Sequence, residues 1–123
     1  MSIVVEFVSE AQQHSGYDWV DISSGGVRVG KARCRQSAPT GTRGSRFTIY
    51  SVNIYPEFEG HGYGREFVEY CKAHFETVIA DRVRYTAIGF WEILGFRDNQ
   101  DGNWVWHQPL TSLTACRRHR PNA

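Results

Sequence analysis

The chain has 123 residues, 41% of them hydrophobic and 14% aromatic, which is ample material for one core and too little length for two domains. Formal net charge is +1, but Arg117, Arg118 and Arg120 sit in the last few residues; without them 11 basic side chains face 13 acidic ones, a body near −2 that argues against a nucleic-acid-binding face. No stretch is long and apolar enough to span a bilayer, and the first six residues lack the basic start and apolar run of a signal peptide, so a cytoplasmic chain with no membrane partner is expected.

In chain order, Ile3 to Val8 is predicted as a first strand. The following stretch, Ser9 to Tyr17, is too polar for a full amphipathic helix, although Ser9-Glu10-Ala11-Gln12 can cap a short one. Trp19 to Ile22 and Val27 to Cys34 flank Ser23-Ser24-Gly25-Gly26, a turn sequence, and predict a hairpin. Ser37 to Gly44 is a polar loop. Arg46 to Ile54 carries apolar residues on both faces and reads as a central strand. From Gly64 onward Phe67, Cys71, Phe75 and Val78, with His74 beside them, repeat at helical spacing, the run reaching into a predicted strand over Thr77 to Ala80. A short helix from Ala87 is closed by Gly95, a suitable left-handed cap; after Phe96, Arg97 to Asn103 turn the chain and Trp104 to His107 return antiparallel. Residues 1–113 are expected to form the single domain, and 114–123, which lack apolar periodicity, a flexible basic tail. Cys34, Cys71 and Cys116 are scattered and odd in number, which suits reduced thiols; no clustered His/Cys pattern suggests a metal.

The most informative run is Glu59-Gly60-His61-Gly62-Tyr63-Gly64, a glycine-dense turn opening directly into the predicted helix. Glycines fold the backbone tightly and aim successive N–H groups at one point, and the unpaired N–H groups and positive dipole end of the helix favour an anion there. A nucleotide P-loop would need Gly-Lys-Ser/Thr, but Arg65-Glu66 follow Gly64; a dinucleotide fingerprint would need a third glycine at Arg65. The run resembles the pyrophosphate loop of the GNAT acyltransferase superfamily, Q/R-x-x-G-x-G/A, in all but its first residue. Ala87-Ile88-Gly89-Phe90-Trp91-Glu92-Ile93-Leu94-Gly95-Phe96 is similar to the same family's A-x-x-F-Y-x-x-x-G-F segment. Both motifs fall in the right order, separated by one helix and one strand, and the resemblance covers residues 46–107.

That resemblance implies an α/β (α+β) fold: a mixed, mostly antiparallel central sheet splayed between its fourth and fifth strands, with flanking helices, the first of them shortened or absent. It also implies acetyl-CoA as cosubstrate, no metal, and transfer of an acetyl group to a primary amine on a small molecule or protein; a homodimer is compatible with it. The Ile54 backbone N–H matches the donor for charge developing on the thioester oxygen. Residues Glu59, Gly60, His61, Gly62, Tyr63, Gly64 and Arg65 match the pyrophosphate site. With so little between the first two strands, the acceptor side is expected to be open.

Three departures bear on the chemistry. Glu59 stands where the family has Gln or Arg; at about 6 Å and an effective dielectric near 20 each pair of unit charges repels by roughly 3 kcal/mol before screening, so its carboxylate is expected to point away. Trp91 stands where many members carry the tyrosine that protonates the thiolate, and an indole N–H cannot usefully give up its proton. Tyr85, expected on the same helix but on another face, is no obvious substitute. No carboxylate falls inside the fourth or fifth strand; Asp81, at the end of the fifth, is the nearest candidate base, with a solvated strand terminus as the bland alternative. Two readings follow: a small N-acetyltransferase working mostly by positioning, or a non-catalytic CoA-binding or protein-interaction module on the same fold.

Overall fold

The computed structural model describes residues 3–8, 17–37 and 44–109. Seven strands, β1 (Val4–Phe7), β2 (Asp18–Ser24), β3 (Val27–Ser37), β4 (Arg46–Ile54), β5 (Thr77–Ala80), β6 (Arg97–Asp98) and β7 (Trp104–His107), join two helices, α1 (Tyr63–His74) and α2 (Ile88–Ile93). They form one sheet in the order β1-β2-β3-β4-β5-β7-β6, in which β4–β5 is the parallel junction and the other five are antiparallel. This is the mixed, mostly antiparallel architecture implied by the two motifs. The short helix expected near Ser9 and the basic tail 114–123, with Cys116, lie outside the described residues.

Period-two alternation explains the strands. Val20 and Ile22 of β2, Ala32 and Cys34 of β3, and Phe47 and Ile49 of β4 point to one face and are buried. Phe67, Val68 and Cys71 of α1 close over the core, each 0% exposed. The β2–β3 hairpin turns at Gly25 and Gly26, both at positive φ, so β2 runs two residues further than the expected Ile22. Phe47 is the centre of the aromatic packing: it stacks on Phe75 at 4.7 Å between ring centroids and meets Phe67 and Phe7 edge-on at 6.5 and 6.3 Å.

The helical repeat noted through Val78 is cut short by hydrogen bonding. Phe75 is extended (φ −132°, ψ 150°), and the next two amides are claimed by the start of β4: Glu76 N–H donates to Ser45 Oγ at 3.1 Å and Thr77 N–H to Ser45 O at 3.2 Å. Gly44 N–H in turn donates to the Glu76 carboxylate at 2.8 Å. Ser45, 1% exposed, thus fastens β4 to β5 at one end, and Val78 belongs to β5. At the other helix junction Lys72 Nζ donates to Leu94 O at 2.7 Å, tying α1 to the C-terminal end of α2.

Truncating the aromatic centre tests this packing. Phe47→Ala is expected to destabilise the fold by about 3–5 kcal/mol in urea unfolding, with the denaturant slope unchanged.

Candidate active site

The β4–β5 pairing spans four residues, Arg46↔Thr77 to Ile49↔Ala80, and its last link is Asp81 N–H to Ile49 O at 2.9 Å. Beyond it β4 runs five residues further, to Ile54, with no strand on that side among the described residues. The reason lies in the next amides of the other chain segment: Arg82, at φ 50°, donates its N–H to Asn103 Oδ1 at 2.8 Å, and Val83 N–H donates to Gly102 O at 2.9 Å. The β6–β7 turn therefore draws the chain away from β4. The expected splay falls between these two strands.

Within the splayed part, the β3–β4 register skips Tyr50: Cys34 pairs with Ile49, and Arg33 with Ser51. A bulge of this kind re-aims every residue after it. Ser51 and Asn53 pair with Arg33 and Lys31, and Tyr55 N–H donates to Val29 O at 2.9 Å, so these odd-numbered residues hydrogen-bond toward β3. By alternation the N–H and C=O groups of Val52 and Ile54 face the open side. They edge a cleft of about 540 Å³, walled by Ile49–Val52 and Ile54 on one side and Ala80–Arg84 on the other, and closed by Thr86, Ala87, Phe90 and Trp91.

The glycine turn lies at the same end of β4. Gly60 and Gly62 have φ of 84° and 85°, conformations that suit glycine, and a Cβ at either would meet no atom within 4 Å. Gly62 is the N-cap of α1 and makes no side-chain capping bond; the first N–H to close a turn is that of Glu66, donating to Gly62 O at 3.0 Å. The amides of Tyr63, Gly64 and Arg65 are thus the open N-terminal donors of a 12-residue helix. A smaller cavity of about 220 Å³ lies against Gly60, Gly62, Tyr63 and Arg65, and shares Ile54, Glu59, Gly64 and Phe90 with the main cleft. Arg65 is exposed and, among the described residues, has no carboxylate in ion-pair range. The cleft thus leads from the open backbone edge of β4 to open backbone donors and an exposed guanidinium, a setting that favours an anion.

Each residue singled out in the sequence can now be located. Ile54 borders both cavities. Glu59 is exposed at the rim that both cavities share, where solvent screens its charge. Asp81 lines the cleft, its side chain 23% exposed, with Arg82 Nε 3.6 Å from its carboxylate. Trp91 is 8% exposed and packed edge-on against Phe90 and Phe96 at 5.0 and 4.9 Å, so the ring forms the cleft end and also belongs to the core. Tyr85 is not on that helix: it opens a 3-10 turn before α2 and is 88% exposed. His61 turns back, Nδ1 3.0 Å from Phe58 O, and stacks on Tyr63. Cys34 and Cys71 are buried away from the cleft, and burial raises both thiols well above their usual range, which makes them inert as nucleophiles.

Sequence reasoning passed over Gly30. It pairs with Ile54, and a Cβ there would come 2.6 Å from Asn53 O, 2.9 Å from Ile54 Cδ1 and 3.1 Å from Ile54 Cα. The opposite side of Ile54 faces Gly64, whose Cβ would lie 3.9 Å from Ile54 Cγ1. One isoleucine is therefore held between a glycine of β3 and a glycine of α1, which sets the end of β4 against the N-terminus of α1. An isolated glycine inside a strand was the available signal.

A model of the acetyltransferase (GNAT) family matches residues 4–96. The chain therefore belongs to the GNAT acetyltransferase family. Uncharacterised N-acetyltransferases of Bacillus cereus and Bacillus anthracis are 33% identical to it over 75 residues, or 58% of this chain. The chain spans about half the length, 46%, of these curated relatives. Similar solved structures include the N-acetyltransferase YlbP of Bacillus subtilis in complex with coenzyme A (TM-score 0.54, 18% identity, 72% of this chain and 66% of that one). The KacTA–DNA complex (0.65, 13%, 97% and 100%) and the AtaT toxin bound to acetyl-CoA and the C-terminus of its antitoxin AtaR (0.60, 10%, 94% and 98%) share the fold as well.

Two substitutions probe the site. Gly62→Val forces a β-branched residue to φ 85° at the helix N-cap and is expected to abolish the thermal stabilisation that CoA confers, while the unliganded protein still melts cooperatively. An unchanged CoA shift would remove the loop from the binding site. Gly30→Ala is expected to displace the end of β4 and weaken CoA at least tenfold by calorimetry, whereas Gly64→Ala, which meets only ordinary contacts, stays within a few-fold of wild type.

Proposed function

We infer that the chain transfers an acetyl group from acetyl-CoA to a primary amine. The observation that carries this reading is the unpaired backbone edge of Val52 and Ile54 facing a cleft continuous with the glycine loop and the open N-terminus of α1. Bound there, acetyl-CoA supplies an acyl group already activated as a thioester. The protein's part is to hold it and to stabilise charge as the amine attacks.

Val52 and Ile54 offer the pantetheine arm main-chain partners of the kind a neighbouring strand would otherwise use. The Ile54 N–H is the fixed donor for negative charge on the thioester oxygen, a contribution worth about 3–4 kcal/mol for one such donor in other enzymes. Amides of Tyr63, Gly64 and Arg65, with the Arg65 guanidinium, hold the pyrophosphate. Glu59 at the same rim weakens that binding modestly, because it is exposed and screened.

The acceptor enters as an ammonium with pKa about 10.4 and must lose one proton before attack and a second afterwards. Asp81 and Glu59 are the carboxylates that border the cleft; Asp81, at the end of β5, is the candidate to receive or relay the first, directly or through water. As the N–C bond forms and the C–S bond breaks, one of the two protons ends on sulfur and the other in solvent. Trp91 supplies no acidic proton; a thiolate is a tolerable leaving group near neutral pH, so release without a dedicated acid is chemically sufficient. The competing reading, a CoA-binding or protein-interaction module, is favoured by that indole and by the lack of a carboxylate inside β4 or β5.

Amine-dependent thiol release, with the acylated product confirmed by mass, is expected from the wild-type protein in a panel of small amines, polyamines, aminoglycosides and peptide N-termini. Trp91→Tyr, which sets a phenol where the cleft has an indole, is expected to accelerate release when thiolate protonation limits turnover. Tight CoA binding without amine-dependent release from either protein would favour the binding module.

A further inference from the structure

The sheet face opposite α1 carries a line of cations that the acetyl-transfer reading leaves unused. Lys31, Arg33 and Arg35 occupy alternate positions of β3, about 6.6–6.8 Å apart along one face. Aromatic rings brace them: Arg33 lies 4.9 Å and Arg35 5.9 Å from the Tyr17 ring centre, and Lys31 lies 5.8 Å from that of Trp19. Tyr50 meets Tyr17 edge-on at 4.8 Å. The overall charge balance conceals this grouping. Residues 17–54 contain six Lys/Arg against two Asp/Glu, whereas residues 55–107 contain five against nine.

Two of the three cations lack a counter-charge among the described residues. Asp21, the cross-strand neighbour of Lys31, places its carboxylate 3.2 Å from Arg28, and Glu6 lies on β1 beyond Asp21. Neither Lys31 nor Arg33 has a carboxylate in ion-pair range among the described residues. Arg33 is half-buried, and its Nε is shielded from solvent with no hydrogen-bond partner. A cation partly removed from water and left unpaired is costly unless an anion completes it. Its cross-strand partner on β4 is Ser51, which with Tyr50 also lines the acyl-transfer cleft.

We propose that this face seats the acceptor, and that the acceptor is a small amine carrying a carboxylate or phosphate within a few bonds of its nitrogen. The proposal rests on the acetyl-transfer reading. β3 lies one strand spacing, about 4.8 Å, from β4, so an anion held by Lys31 and Arg33 sits close to an amine reaching the cleft beside Ser51. Polycations such as polyamines meet like charge at the same place and are disfavoured.

The test measures binding and turnover separately. Protein saturated with CoA is titrated calorimetrically with aspartate, with 2-aminoethyl phosphate and with spermidine, and acetylation of the same three amines is followed with acetyl-CoA. At least one anionic amine is expected to bind, and the carboxylate and phosphate arms identify which group is preferred. Lys31→Ala and Arg33→Gln are each expected to weaken that binding at least tenfold and to raise KM with kcat little changed, while acetyl-CoA affinity stays within twofold. Arg33→Lys is expected to recover most of the loss, and the exposed Lys31→Ala decides the matter if Arg33→Gln fails to fold. Binding of the anionic amines that both variants leave unchanged, no binding of either, or preferential acetylation of spermidine would overturn the proposal while leaving acetyl transfer intact. Binding that depends on Lys31 and Arg33 without any turnover would keep the anion-binding face and remove the transferase reading instead.

Discussion

The cleft depends on where β5 stops pairing with β4. A parallel neighbour ordinarily continues until its amides find other acceptors, and here they do so immediately after Ala80: Asp81 still donates to Ile49, but Arg82 and Val83 donate to Asn103 and Gly102. At the opposite end Ser45 and Glu76 fasten the two strands through three hydrogen bonds. Pinned at one end and diverted at the other, the pair can only open as a wedge. Its exposed edge is β4, whose bulge at Tyr50 turns Val52 and Ile54 outward. Unpaired backbone at a sheet interior is expensive, and a ligand with amide groups satisfies it.

The wedge and the glycine turn are one construction because Ile54 belongs to both. Its backbone ends the open edge, and its side chain sits between Gly30 and Gly64. The distance from the open edge to the first amides of α1 is therefore set by packing across two backbones that approach closely for want of side chains. Charge is divided in the same spirit. Acidic residues dominate residues 55–107, and Arg65 stands exposed at the helix terminus, while Lys31 and Arg33, with no carboxylate in ion-pair range among the described residues, lie on the other face, along β3.

Much of the fold was legible in the sequence because local physics and global fold agree there. The alternation in β2 to β4, the glycine turn, the helix over Phe67 and Cys71, and the Gly95 cap all appear close to where the spacing put them. The errors have specific causes. α1 ends at His74 because Ser45, far earlier in the chain, accepts from the amides of Glu76 and Thr77, tertiary bonds that periodicity cannot see. Tyr85 falls in a 3-10 turn before α2. The cation row on β3 was masked by adding charges over the whole chain, when what matters is which strand and which face carry them.

The central claim is that the β4 edge and the α1 terminus together form the CoA site. The most direct measurement is a titration of isotopically labelled protein with CoA, followed at each backbone amide. The largest changes are expected at Val52, Ile54 and Tyr63 to Arg65, with Phe47 and Ile49, still paired to β5, nearly unmoved. Changes confined to the separate hollow between Gly95 and Pro109, with Val52 and Ile54 silent, would contradict it.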